Sequence, residues 1–237
     1  MSILILVRHG QSIWNLEKKF TGWVDVDLTE QGKIEAEKAG YLIKKRDIKI
    51  NHFYSSLQLR ANHTLKIIQK VLNDERIFIK AWQLNERHYG ELTGLNKIEI
   101  GKKIGEEKVY KLRRSWDCRP EPLSKESPYH AINIETYKNI PEKIIPDTES
   151  LKDTYERVIR YFNEKIQKNL IKENVLISAH GNSIRALCKY LFKLDNEKIS
   201  KLEIPTGNPL VIEIGEDLKI KSCEYLDKNR SKDLLVF

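Results

Sequence analysis

The chain has 237 residues, 40% of them apolar and 32% charged, a folded globular composition that excludes a disordered tract. Its three cysteines, Cys118, Cys188 and Cys223, are widely spaced and form no CxxC pair, so a disulfide framework or zinc knuckle is not expected and a reducing, cytoplasmic setting fits best. The net charge of +8 leaves nucleic acid, an anionic membrane surface or a small anionic substrate open as partners, but no stretch approaches the roughly 18 apolar residues of a membrane span.

Ser2 to Val7 is a continuous β-branched and leucine run, expected to form a strand buried on both faces rather than a signal peptide. Arg8, His9 and Gly10 follow it. Glu30 to Lys45 carries an apolar helical stripe of Ala36, Ala39, Leu42 and Ile43, with Thr29 as N-cap. Asn51 to Ser55 reads as a short strand, Leu59 to Leu72 as a helix and Arg76 to Lys80 as a further strand. Glu149 to Leu170 has the clearest helical periodicity, through Leu151, Tyr155, Val158, Ile159, Phe162 and Ile166. Val175 to Ser178 is a strand running into Ala179, His180 and Gly181. Ser183 to Phe192 is a helix and Pro209 to Ile214 a last strand.

Strands alternating with amphipathic helices predict an α/β fold: a mainly parallel open sheet with helices on both faces. The segment from about 86 to 147 breaks the rhythm. It holds Gly90, Gly94, Gly101, Gly105 and five prolines, too much for an ordinary connection, and is expected to be a lid-like insertion on a single domain spanning 1–237. From Lys97 to Arg114 it has seven basic against three acidic side chains, a local net of +4. From about 216 to 237 the chain turns polar and is expected to form a peripheral tail.

Two predicted strands end in His-Gly, at His9-Gly10 and His180-Gly181, 171 positions apart. Ligands of open α/β sheets collect beyond the carboxyl ends of the strands, where the two histidines can meet. Arg8 offers a bidentate fork for an anion, Gly10 is expected to let the backbone approach a ligand, and a neutral imidazole is a competent nucleophile. The amides at Gly181, Asn182 and Ser183 open a helix and can face an anion, although Asn182 or Ser183 also fits a plain cap. A metal held by His9, His180 and Glu86 is disfavoured by the cations Arg8, Arg60, Arg87 and Arg185 and by the lack of HExxH. No nucleic-acid-binding motif accompanies the basic segment, and no GxGxxG follows the first strand.

The motifs together resemble the cofactor-dependent phosphoglycerate mutases of the histidine phosphatase superfamily. Arg8-His9-Gly10-Gln11-Ser12 with Trp14-Asn15 carries the resemblance first, then Phe20-Thr21-Gly22-Trp23 and Ser55-Ser56-Leu57 with Arg60-Ala61. It continues through Leu84 to Gly90, Leu92 to Lys97, Arg113 to Asp117, Glu149 to Thr154, His180 to Ser183 with Arg185, and Ile204 to Gly207. The resemblance implies that His9 is phosphorylated, that Arg8, Arg60 and His180 stabilise phosphoryl transfer, and that Glu86 gives and takes the proton. Asn15, Thr21, Gly22, Arg87, Tyr89, Lys97, Arg113, Arg114, Gly181 and Asn182 are implied to hold the substrate. It further implies interconversion of 3-phosphoglycerate and 2-phosphoglycerate in glycolysis and gluconeogenesis. The primer would be 2,3-bisphosphoglycerate, with no metal, nucleic acid or membrane involved, and the chain would form a homodimer or homotetramer.

A direct shift of a phosphoryl group between adjacent hydroxyls is geometrically awkward, and a protein nucleophile can hold the group while the bisphosphorylated intermediate reorients. The nearest rival activities use the same His9 intermediate: hydrolysis of a small phosphorylated metabolite, or net synthesis or breakdown of 2,3-bisphosphoglycerate. A silent phosphoanion-binding scaffold would need a missing catalytic type, and none is missing. The sequence departs from the family at Arg119, Glu121, Arg160 and Asn208 and in the tail from Leu218, none of them an implied catalytic position.

Overall fold

The apolar run at the N-terminus forms β1 (Ser2–Arg8) in a computed structural model that describes residues 1–215 and 219–234. In chain order come α1 (Ile13–Leu16), α2 (Glu30–Lys45), β2 (His52–Ser55), α3 (Leu59–Leu72) and β3 (Ile79–Lys80). They are followed by α4 (Lys97–Ile104), α5 (Glu106–Arg114), α6 (Leu151–Tyr161), β4 (Val175–Ala179), α7 (Gly181–Leu191) and α8 (Asn196–Lys201), then β5 (Leu210–Ile214) and β6 (Ile220–Tyr225).

The strands join in one sheet of order β3-β2-β4-β1-β5-β6. The four from β3 to β1 run parallel, whereas β5 and β6 add antiparallel at the other edge. Alternation along β1 explains the layering. Leu4 and Leu6 pack with Tyr54, Ile177, Val158, Ile184 and Leu187 on the side of α6 and α7. Ile5 and Val7 pack with Phe53, Leu176, Ala39, Ile43, Leu65 and Ile68 on the side of α2 and α3. Helices therefore cover both faces, as the sequence pattern predicts.

Helix ends follow local chemistry. Thr29 caps α2 through Gly32 N, and Ser150 caps α6 in a capping box with Asp153. The helix expected from Glu149 to Leu170 is regular only over α6; a π turn at Phe162–Ile166 and a 3-10 turn at Asn169–Ile171 complete it. Glu149 stays outside because Ser150 after it is the N-cap; its carboxylate is paired with Arg157 at 2.6 Å and accepts His88 N at 2.8 Å. The strand expected from Arg76 shortens to Ile79–Lys80, since the Arg76 guanidinium binds Asp74 and the carbonyls of Ile50 and Asn51. Helix α7 begins at Gly181, two residues before the expected start.

Residues 86–147 contain α4, α5 and several 3-10 turns. They pack on the N-terminal part of the chain through Phe20 with Leu92 and Val109, and through Trp23 with Ala131, Tyr137 and Ile145. The described part of the tail, 219–234, is tied down more closely than its polarity suggests. It supplies edge strand β6, and Asn208 bonds the backbone of Asp227 in both directions at 3.0 Å. Arg230 reaches Thr206 O at 2.7 Å and Glu35 at 3.2 Å. Residues 216–218 and 235–237 of the expected tail lie outside the described residues.

Candidate active site

Parallel pairing of β1 with β4 puts Arg8 opposite Ala179, and His9 N donates to Ala179 O at 3.0 Å. The two His-Gly elements thus leave neighbouring strands at the same height. The imidazole centroids of His9 and His180 are 5.0 Å apart, their planes tilted by 56°. Both side chains are buried.

Each ring is held at a different nitrogen. His9 Nδ1 lies 2.7 Å from Gly10 O, which can only accept, so Nδ1 carries the proton and Nε2 the lone pair. His180 instead shares its Nε2 with Ser56 Oγ at 2.7 Å, and its Nδ1 has no partner. Burial, then the charges of Arg60 and Arg8, push His9 well below the usual imidazole range. Burial, Arg60 and His9 itself do the same to His180. Both rings are neutral at neutral pH, as nucleophilic chemistry at His9 requires.

Arg60, in the first turn of α3, is 1% exposed and donates to Val24 O at 2.9 Å, Gly22 O at 2.9 Å and Gln58 Oε1 at 3.2 Å. A backbone cradle thus fixes a buried charge beside the histidines. Arg8 donates from Nη1 to Ile204 O at 2.7 Å and leaves Nε without a partner.

Glu86 has one oxygen engaged and one free. Oε1 accepts from Arg87 N at 2.8 Å, Asn182 N at 3.2 Å and Asn182 Nδ2 at 2.9 Å. Oε2 takes no hydrogen bond among the described residues and faces Gly181, where a Cβ would stand 3.7 Å from it and from the Arg8 guanidinium. Asn182 Nδ2 also donates to the Tyr89 hydroxyl at 3.0 Å. The cap at this helix start comes from Ser183, whose Oγ accepts His180 N at 3.0 Å, which leaves Asn182 to serve Glu86.

A cavity of about 230 Å³ is lined by Arg8, Glu86, Tyr89, Arg113, Arg114, Gly181 and Asn182 from among the expected residues, whereas His9, His180 and Arg60 are not in its wall. His9 and His180 adjoin two of these, Arg8 and Gly181, in the chain. The other expected contacts are not in the cavity wall. Arg87 stacks on Tyr89 at 4.5 Å and donates to Leu112 O at 2.6 Å, with Nε and Nη1 unpartnered. Lys97 bonds Lys19 O and lies 5.3 Å from the Phe20 ring; burial, then Arg113 and Arg8, bring its pKa down to about 8. Gly22 serves through its carbonyl on Arg60, and Thr21 O accepts Val24 N at 3.1 Å. Asn15 spends its side-chain oxygen on Ser12 N at 3.2 Å, closing the capping box of α1.

The bareness of Gly10, expected to serve ligand approach, has a packing cause in the structure. A Cβ there would lie 2.1 Å from Gly32 O, so its bareness admits the first turn of α2 against the strand end. Five cavity residues were given no binding role by the sequence: Arg185, Glu203, Ile204, Pro205 and Lys232. Arg185 lies one helical turn beyond Asn182, a spacing that could have found it. Glu203 pairs with Arg114 at 3.0 Å and with Lys232 at 3.6 Å, and the tail sequence offers no signal for that meeting. Among the described residues no group of three or more His, Cys, Asp or Glu stands together as a metal site. The arrangement sets the neutral imidazoles of His9 and His180 next in the chain to Arg8 and Gly181 of a guanidinium-rich cavity whose wall also carries the Glu86 carboxylate, which suits transfer of an anionic group with proton exchange.

Known proteins match this chain along its length. The profile of the "Histidine phosphatase superfamily (branch 1)" matches residues 4–133 and 131–221. A "2,3-bisphosphoglycerate-dependent phosphoglycerate mutase" of Pelagibacter ubique (strain HTCC1062) is 65% identical over all of both chains. A protein of the same name from Xylella fastidiosa (strain M23) is 48% identical over 94% of this chain and 90% of its own. Among solved structures, a mycobacterial glucosyl-3-phosphoglycerate phosphatase superposes with a TM-score of 0.68 at 20% identity, covering 95% of this chain and 98% of that one. At that identity the likeness concerns the fold alone.

Proposed function

This chain belongs to the histidine phosphatase superfamily, branch 1, and from that membership and the cavity we infer that it interconverts 3-phosphoglycerate and 2-phosphoglycerate through a phosphohistidine, primed by 2,3-bisphosphoglycerate. The observation that carries the reading is the pairing of free atoms: Nε2 of a neutral His9, with Oε2 of Glu86 unbonded at the wall of a cationic cavity.

In the proposed mechanism His9 Nε2 attacks a phosphoryl group of the bisphosphate. The P–O bond to the glycerate breaks, and Glu86 Oε2 delivers a proton to the departing oxygen. This priming step leaves phosphohistidine. The free hydroxyl of 3-phosphoglycerate then attacks the phosphohistidine, the N–P bond breaks, and Glu86 Oε2 takes the hydroxyl proton, which forms the bisphosphate. The bisphosphate reorients in the cavity, Nε2 attacks its other phosphoryl group, and Glu86 Oε2 returns the proton to the departing oxygen, which releases 2-phosphoglycerate. Arg8, Arg60 and His180 stabilise the transferring group, which needs fixed positive charge and donors more than covalent help. Arg113 and Arg114 fit the remaining anionic groups at the mouth, with Tyr89, Gly181 and Asn182 shaping the wall. Arg87 and Lys97 supply positive charge from behind it, and Asn15, Thr21 and Gly22 hold the loops around Arg60. The residue types present need no metal for this transfer.

We further assign residues 86–147 as a lid on a single domain and the tail as its edge support, keeping water from phosphohistidine. The enzyme is expected to be a cytoplasmic homodimer or homotetramer, which light scattering reads directly. The test of the activity is to incubate pure protein with 3-phosphoglycerate, with and without 2,3-bisphosphoglycerate, in the presence of a chelator. Strong stimulation by the primer, little free phosphate and indifference to the chelator are expected. Phosphate release exceeding 2-phosphoglycerate formation would instead assign a hydrolase.

A further inference from the structure

We propose that Arg185 is a positioning residue that fixes the orientation of the Asn182 amide and thereby keeps Oε2 of Glu86 free for the proton. The proposal rests on Glu86 as the proton carrier.

Arg185 is 3% exposed, in the second turn of α7, and its guanidinium reaches three acceptors on three elements. Nη1 donates to Asn182 Oδ1 at 2.9 Å. Nη2 donates to Arg114 O at 3.2 Å, at the end of α5, and to Ile199 O on α8. Nε has no partner, and the side chain borders the cavity.

The amide of Asn182 can present either its oxygen or its NH2 to Glu86, because the two ends have nearly the same shape. A guanidinium only donates. With Nη1 on one end of the amide, that end must be oxygen, so the NH2 faces Glu86 Oε1 and the Tyr89 hydroxyl. The flipped amide would set a carbonyl oxygen against a carboxylate and against Arg185 an NH2 that cannot accept. Together with two backbone N–H groups the NH2 saturates Oε1 and leaves Oε2 toward the cavity. The backbone bonds from Nη2 make the lock stiff, since the fork cannot swing without giving up α5 and α8.

A general contribution of charge to anion binding predicts something else, and a double-mutant cycle separates the two. Arg185→Lys keeps the charge but not the fork. It is expected to leave KM for 3-phosphoglycerate within about two-fold and to lower kcat roughly ten-fold, with Arg185→Gln losing more. In an Asn182→Ala background neither substitution should lower kcat by more than about two-fold further, because the amide they act through is gone. Should Arg185→Gln not fold, as urea unfolding would show, the Lys cycle alone gives the answer. A wild-type kcat in Arg185→Lys, or losses that multiply with that of Asn182→Ala, would overturn the proposal. Glu86→Gln is measured alongside: normal turnover there would sink the proton-carrier reading itself, a different outcome from additivity at Arg185.

Discussion

The two His-Gly strand ends look alike in sequence and are built for opposite purposes. At the β1 end the imidazole is turned so that Nδ1 is spent on Gly10 O and Nε2 is left open. At the β4 end Nε2 is spent on Ser56 and Nδ1 is the open atom. The glycines divide in the same way. Gly10 is pressed against the backbone of Gly32, whereas Gly181 lines the cavity and a Cβ there would make only van der Waals contact, at 3.7 Å, with Arg8 and Glu86. A repeated dipeptide therefore marks one position where the chain must pack and one that borders the cavity. The lesson is that a shared motif locates a site, and the hydrogen bonds around each copy decide what it does there.

The strongest way to break this comparison is to remove one imidazole. His9→Ala should abolish the acid-labile phosphoenzyme and lower kcat on the order of 10⁴-fold, as loss of a covalent nucleophile does. His180→Ala should still form phosphoenzyme, but more slowly, because it removes a stabilising group and not the attacking atom. Labelling with 2,3-bisphosphoglycerate carrying a radioactive phosphoryl group reads both. Phosphoenzyme in His9→Ala but not in His180→Ala would exchange the assigned roles.

What the two ends share is charge state, and pH tests it. His9 and His180 are held well below 6.5, and His88 is brought down to about 3 by burial and by His130. Below pH 6.5 the unfolded chain takes up protons at these positions that the folded chain refuses. Stability is therefore fully present above pH 6.5 and falls as the pH drops. The slope should be about 1.4 kcal/mol per pH unit for each histidine, so several kcal/mol are lost between pH 6.5 and 5. Urea unfolding at a series of pH values measures it. A flat profile over that range would mean that the rings titrate normally in the folded state.

Exchanging the burden on the two glycines comes next. Gly10→Ala should cost about 3 kcal/mol, since backbone must move to admit a methyl group. Gly181→Ala should leave the unfolding midpoint close to that of the parent while lowering kcat/KM, because its methyl group occupies ligand space. Thermal unfolding and steady-state kinetics on both variants give the answer, and the reverse pattern would undo the contrast.

Much of this was legible in the sequence because it depends on pattern and on neighbours along the chain. The alternating elements gave the parallel core, and α2 and α3 end where the apolar periodicity and caps place them. Asn182 could be singled out by residue type at a helix start, whereas the proton role of Glu86 followed from the resemblance. The use of Gly10 was not legible, since Gly32 is 22 positions away and the clash exists only once α2 docks. Nor was β6, whose Ile-Lys-Ser-Cys-Glu-Tyr pattern is too polar to announce a strand. It forms because β5 offers an open edge, a tertiary cause that overrides local propensity. Arg185 was named only as a cation near the site and within a motif, with no role of its own, because three acceptors on three elements meet only in the folded chain.

The departures from the family pattern have local partners in the structure. Arg119 forms a two-pronged pair with Asp153 at 2.6 and 2.9 Å, and Glu121 accepts Glu91 N through its carbonyl at 2.8 Å. Arg160 pairs with Glu164 at 3.0 Å on an exposed face. Exposed pairs of this kind contribute about 0–1 kcal/mol, so their loss should barely register.

Asn208 is different, and it bears on only one of the two strand ends. It is fully buried, and its amide satisfies both the N–H and the carbonyl of Asp227. From there the tail runs to Arg230, which binds Glu35 and Thr206 O; Glu35 in turn accepts Gln11 N at 2.9 Å. Gly207 N bonds Arg8 O at 2.8 Å, on the same side. Every link of this chain of contacts leads to the His9 end, and none to His180. Asn208→Val keeps the volume approximately but strands two backbone groups in the interior, at a cost of about 1–3 kcal/mol. Amide hydrogen exchange should quicken at residues 225–230 and around Gln11 and Arg8, while Gly181 to Ser183 keep the protection of the parent protein. Faster exchange at both ends alike would show that the tail supports the sheet as a whole, and that the two His-Gly elements are held by one common structure.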